Sequence, residues 1–96
     1  MITKLQANAL AKIFHLNLNV VPLDIWKYGL NVELEHGFVN DITNVTNDDL
    51  IATAKIALAH LLEYPDYYQR LFEMESSAEK YWSKKKKPSI IISNKS

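Results

Sequence analysis

Apolar residues recur at helical spacings through most of this chain. Leu5, Ala9, Leu10, Ile13 and Phe14 step by three and four, with Lys4, Asn8 and Lys12 on the other side. That pattern predicts an amphipathic helix. Thr3 is placed to cap its N-terminus. His15 closes it, where an imidazolium suits the negative end of the helix dipole. From Leu16 to Val21 apolar residues alternate with asparagine. Asparagine is a poor strand former and no partner strand is evident, so this stretch reads as a linker with alternate side chains tucked against the core.

A second helix is expected to open near Pro22, with Asp24 at its positive end. Leu23, Trp26, Leu30, Glu33 and Leu34 run down one stripe; Ile25, Gly29, Val32 and His36 run down the next. Gly29 costs a helix roughly 1 kcal/mol relative to alanine, which implies either a close helix–helix approach or a break. Gly37 suits the left-handed residue that ends a helix. Phe38 to Asn47 is rich in Asn, Asp and Thr, residues that bond their own backbone and favour turns.

Thr46 or Asn47 is placed to cap a third helix from about Asp48 to Glu63, with Asp48 and Asp49 in its first turn. Ala52, Ala54, Ala57 and Ala59 give it a thin profile, so it is expected to be the central helix. Pro65 biases Tyr64 away from helical angles and is expected in the first turn of a fourth helix. There Tyr68, Leu71, Phe72, Glu75, Ala78 and Trp82 share a broad face, and Gln69, Arg70, Glu73, Ser77 and Lys80 face outward. Tyr68, Phe72 and Trp82 read as core; Tyr64 and Tyr67 fit core or interface. The prediction is an all-α fold, a compact irregular bundle of four helices over residues 1–83, followed by a basic, isoleucine-containing tail over 84–96.

Composition agrees with that outline. Of 96 residues, 48% are hydrophobic and 23% charged, with only 2 Gly and 3 Pro, too few turn formers for a β-sandwich. The formal net charge is zero, so no global field draws nucleic acid or an acidic membrane. The absence of cysteine excludes a disulfide framework and a thiolate zinc site. No apolar run suits a membrane span or a secretory leader, and the expectation is an intracellular, cytoplasmic protein.

The residues with chemical potential cluster on the second and third helices. Glu33 and His36 are three apart, as are His60 and Glu63, so each pair projects from one helix face. If the two helices pack antiparallel, the pairs face each other. Carboxylates and imidazoles at this spacing build metal sites inside bundles, and these four side chains could hold one divalent metal ion. Asp49, Asp66, Tyr67 and Tyr68 would then support the ligands or serve structure alone. The same residues also fit a polar network that fixes helix register, or acid–base chemistry without metal. No nucleophilic triad, metalloprotease motif or glycine-rich phosphate loop is present. Lys84, Lys85, Lys86 and Lys87 form a local cationic patch, read either as a solvated helix end or as a nucleic-acid or nuclear-import contact.

Three segments carry a resemblance: Gly29 to Gly37 (GLNVELEHG), Thr43 to Asp49 (TNVTNDD), and Lys55 to Tyr68 with its His60 and Tyr64-Pro65-Asp66-Tyr67-Tyr68. Together they resemble an uncharacterised small domain family of prokaryotes, phages and large DNA viruses. The likeness runs from the first helix to about Glu75. It implies one intact domain and a viral or mobile-element origin, in which case host cytoplasm or virion is the setting. It transfers no catalytic residue. The expectations are therefore a non-enzymatic interaction or accessory module with a protein partner, or a metal-binding protein or metal-dependent hydrolase using Glu33, His36, His60 and Glu63. Nucleic acid enters only through the basic tail.

Overall fold

The structure, a computed structural model, describes the backbone of residues 1–39 and 49–91 and the side chains of 1–35 and 49–91. Among these residues the chain forms four helices and no strand: α1 (Lys4–Ile13), α2 (Leu23–Val39), α3 (Leu50–Glu63) and α4 (Tyr67–Trp82). The all-α bundle expected from the pattern is what forms.

The start of α1 follows local chemistry. The Thr3 hydroxyl accepts from the Gln6 N–H, and the Gln6 side chain accepts from the Thr3 N–H, a reciprocal capping box. Its buried side is Ala7, Leu10 and Ala11, with Phe14 half-buried. This corrects the predicted stripe: Leu5 is 80% exposed and Ile13 57%, and Ala9 is exposed too. The small Ala7 decides the choice of face. It lets the α1 backbone approach Trp26 of α2, whose indole N–H donates to the Ala7 carbonyl at 2.9 Å.

His15 stands just beyond α1 with φ of 54°, a left-handed conformation that is usually glycine's. Its N–H reaches Lys12 O at 3.2 Å, and the Leu16 N–H reaches Ala11 O at 2.9 Å. These two bonds are those of a Schellman motif. The motif stops the helix and turns the chain at the cost of a strained non-glycine residue. Replacing His15 by glycine keeps both bonds and removes the clash of Cβ with the backbone. We expect H15G to raise unfolding stability by about 1 kcal/mol, read as a higher urea midpoint at unchanged m-value.

The linker forms no strand. Asn17 accepts the N–H groups of Val20 and Val21 through its carbonyl and that of Asn19 through its side chain. Side chains do not alternate inward: Val21 is buried, whereas Leu18 and Val20 are exposed. Turn chemistry from asparagine overrides the alternating pattern.

Trp26 and Leu30 on α2 are fully buried. The helix does not stop at Gly37 but runs to Val39. Gly29 marks a close approach, not a break. A Cβ at that position would lie 2.5 Å from the ring of Tyr68 on α4. Asn31 clamps the N-terminus, accepting from the Ile2 N–H at 2.7 Å and donating to the Ile2 carbonyl at 3.1 Å.

Asp49 itself caps α3, accepting from the N–H groups of Ile51 and Ala52. It therefore stands outside the helix and not in its first turn; Thr46 and Asn47 lie outside the described residues. Ala54 and Ala57 are wholly buried, and the buried Thr53 hydroxyl donates to the Asp49 carbonyl. The hub of the bundle is α2, which packs against α1, α3 and α4. The thin alanine face serves α3 as a docking edge against α2. Tyr64 is extended before Pro65 as predicted, but α4 begins at Tyr67, so the proline sits ahead of it.

Only the beginning of α4 enters the core. Tyr68 is its one buried residue, and Leu71, Ala78 and Trp82 are half-buried. Phe72, expected inside, is 58% exposed. The helix crosses α2 at Gly29, and beyond Phe72 its residues are exposed except for the half-buried Ala78 and Trp82, in a molecule 50 Å long and 29 by 23 Å across.

Candidate functional site

The three helices α2, α3 and α4 meet at one carboxylate. Glu33 lies one turn beyond Gly29 on α2, and its side chain is 11% exposed. The Tyr68 hydroxyl, brought in by the close approach at Gly29, donates to Glu33 Oε2 at 2.7 Å. His60, from the last turn of α3, places Nε2 3.5 Å from the same oxygen. Glu33 thus takes one neutral donor and one imidazole from two neighbouring helices. A buried carboxylate needs such partners, because leaving it unpaired in the interior is costly.

Aromatic rings build the walls. The His60 imidazole stacks on Tyr67, with centroids 4.3 Å apart and planes 4° from parallel. Tyr68 meets Tyr67 edge-on at 5.0 Å and Tyr28 edge-on at 6.3 Å, and Tyr28 meets Phe72 at 6.2 Å. The series Phe72, Tyr28, Tyr68, Tyr67, His60 therefore runs from α4 to α2, back to the start of α4, and on to α3. Edge-to-face contacts of this kind add to simple area burial.

Each phenol near the carboxylate is harder to ionise than usual. Burial raises the Tyr68 pKa most, followed by its hydrogen bond to Glu33 and the Glu33 charge. Burial also raises Tyr67, with the charges of Glu33, Glu63 and Glu75 adding to it. Tyr28 rises through burial first and then through Glu75 and Glu35. The unfolded chain loses these protons near pH 10, while the native state still holds them. The stability they contribute is full below about pH 10 and is lost as pH rises beyond it. We expect Y68F to cost about 1.5 kcal/mol at neutral pH, the worth of a hydrogen bond to a charged group. Its loss of stability between about pH 10 and 11.5 should be shallower than the wild type's. Urea midpoints measured across that range check both effects.

Of the residues singled out from sequence, Glu33, His60, Tyr67 and Tyr68 come together. Glu63 is exposed to solvent, although its charge reaches Tyr67. The side chain of His36 lies outside the described residues. Asp49 is spent on the α3 cap. Asp66 accepts from Arg70 Nε at 2.7 Å in a surface pair. Lys84 to Lys87 are exposed, with Lys85 Nζ 3.8 Å from the Tyr81 ring centroid. Among the described residues, no three His, Cys, Asp or Glu side chains converge closely enough to share a metal ion. Two residues escaped the sequence reading. Tyr28 carried no signal beyond its type. Asn31 did carry one, since asparagine in mid-helix often bonds backbone.

Fold and site together define a small helical bundle whose polar centre is a tyrosine–carboxylate–imidazole array joining three helices. A family model described as "Protein of unknown function (DUF5661)" matches residues 7–77. The chain belongs to that family. The match runs from within α1 through most of α4 and includes every member of the array. No curated protein and no solved structure matches the chain.

Proposed function

We propose that this chain is a non-enzymatic interaction module and that the outer part of α4 is its contact surface. The observation that carries this is the exposure of Phe72, Met74 and Tyr81, each more than half accessible on a helix whose one buried residue is Tyr68. Large apolar and aromatic side chains of this kind make effective anchors when a partner covers them. The Glu33 array supports the reading from the other side. It ties α4 to α2 and α3 through the Tyr68–Glu33 hydrogen bond and the His60–Glu33 contact, which serve the packing of the helices. No helix among the described residues is long and apolar enough to cross a membrane. The Asn-, Ile- and Lys-rich composition fits a viral or mobile-element origin.

The test is affinity capture from cells that express the protein, with wild type against a chain carrying M74D and Y81D. Both positions are exposed, so the melting temperature is expected to stay the same. One protein retained by wild type and lost by the variant, and then binding the purified chain directly, is the expected result. Equal retention by both chains would overturn the reading.

A second reading rests on the pairing of Glu33 with His60. These two side chains would supply the first ligands of a divalent metal site, with His36 a further candidate. Protein purified without chelator would carry metal at one per chain and melt lower after chelation, because an ion bound to the native state stabilises it. A metal-free protein whose melt ignores added zinc, iron or manganese would end this reading.

A further inference from the structure

We infer that the cleft between α2 and the start of α4 binds a small molecule through a quaternary ammonium group. The inference goes beyond the interaction-module reading and does not rest on it, since Met74 and Tyr81 lie outside this cleft. The crossing at Gly29 builds the cleft. On α4, Tyr68 and Phe72 are four apart, as are Gln69 and Glu73, so each pair projects from one face of the helix. On α2, Ile25 and Tyr28 are three apart and meet that face. These six side chains line an open cleft of about 490 Å³, within the span of about 300–1,000 Å³ usual for small-molecule sites.

The chemistry of the lining identifies the ligand. The Tyr28 and Phe72 rings stand 6.2 Å apart at 72°, and those of Tyr28 and Tyr68 stand 6.3 Å apart at 86°. A cation held by aromatic rings lies within about 6 Å of each centroid, so rings at these separations can share one. Tyr68 is fully buried and forms the floor. The half-buried Tyr28 and the exposed Phe72 form walls that a ligand reaches. Among the described residues that line the cleft, the one charged side chain is Glu73, an exposed carboxylate at the rim. The surroundings of Tyr28 have the same sign. Burial raises its pKa most, and the charges of Glu75 and Glu35 raise it further. Aromatic walls alone would suit any apolar molecule; with a negative potential beside them they suit a cation. A primary ammonium is compact and strongly hydrated. One with methyl groups in place of its N–H bonds keeps its charge and leaves water more easily, and it is the cation that aromatic cages recognise.

The experiment is titration of the full chain with choline, followed by amide chemical shifts in two-dimensional NMR. Saturable shifts around Tyr28 and Phe72 are expected, with a Kd of about 10 mM or tighter. The neutral carbon isostere of choline, in which a tert-butyl group replaces trimethylammonium, is expected to bind at least about fivefold more weakly, because it has the shape without the charge. Phe72→Leu and Glu73→Gln should each weaken choline at least about threefold, while Phe72→Trp keeps or tightens its binding. Both positions are exposed, and circular dichroism verifies that the variants fold. An isostere that binds as well as choline, or choline binding unchanged in either F72L or E73Q, would overturn the inference. So would the absence of saturable shifts up to about 50 mM choline. A chain that ignores choline but binds a peptide carrying trimethyllysine would overturn the small-molecule assignment and give the cleft to a protein partner.

Discussion

Replacing Trp26 by alanine is expected to remove about 3–5 kcal/mol of stability, the usual range for truncating a buried tryptophan. Trp26 is fully buried and is the largest side chain in the core. It sits where α1 meets α2, and its indole N–H is satisfied only by reaching the Ala7 carbonyl on the other helix. Truncation therefore opens a cavity and also cuts a buried hydrogen bond between the two helices. A domain of this size has only about 5–15 kcal/mol to lose, so W26A should be at or beyond the edge of folding at 37 °C. Urea unfolding followed by far-UV circular dichroism is the measurement, since the substitution changes the fluorescence. Leu5→Ala is the control. With Leu5 80% exposed, it should shift stability by no more than about 0.5 kcal/mol. A large loss at Leu5 would contradict the face that α1 is found to bury.

Gly29→Ala is expected to cost about 2–3 kcal/mol, although alanine is the better helix former by roughly 1 kcal/mol. The new methyl carbon would lie 2.5–2.9 Å from three atoms of the Tyr68 ring. That ring has little freedom to yield. It is fully buried, its hydroxyl is held by Glu33, and Tyr67 and Tyr28 meet it edge-on. Overpacking of about 1–3 kcal/mol combines with a displaced hydrogen bond to a carboxylate. The sign is diagnostic. In a chain already carrying Y68A the obstacle is gone, and G29A should become stabilising by about 1 kcal/mol. A double-mutant cycle on urea midpoints measures this reversal. If G29A destabilises equally in both backgrounds, the close approach is not the reason for the glycine.

The sequence could be read for elements more readily than for faces. Thr3, Pro65 and the run from Asp49 to Glu63 act locally, through side chains that bond neighbouring backbone or fix neighbouring angles, and local chemistry is visible in a single chain. Gly29 was legible as an anomaly, but its partner was not, because Tyr68 lies 39 positions away. The buried face of α1 was misread because Leu5 and Ile13 outweigh Ala7 on any hydropathy scale. What decides the face is the room a methyl group leaves for an indole, and that is a property of two helices at once. Gly37 was misread for a related reason, since glycine permits a helix end without requiring one. The site was half visible. Helical spacing brought out Glu33 and His60, whereas Glu63 shares their spacing but turns to solvent. The stacking of His60 on Tyr67 depends on the turn at Pro65, which no periodicity encodes.

The placing of Tyr68, the one buried residue of α4, near its start has a consequence for local opening. The backbone amides of α4 near Tyr68 sit beside the most buried contacts of the molecule, while those beyond Phe72 have water on most sides. One continuous helix should therefore show two regimes of hydrogen exchange. Protection near Tyr68 should approach that of global unfolding, and protection towards Trp82 should fall to that of end fraying. The boundary between them marks where the folded unit stops holding its own last helix.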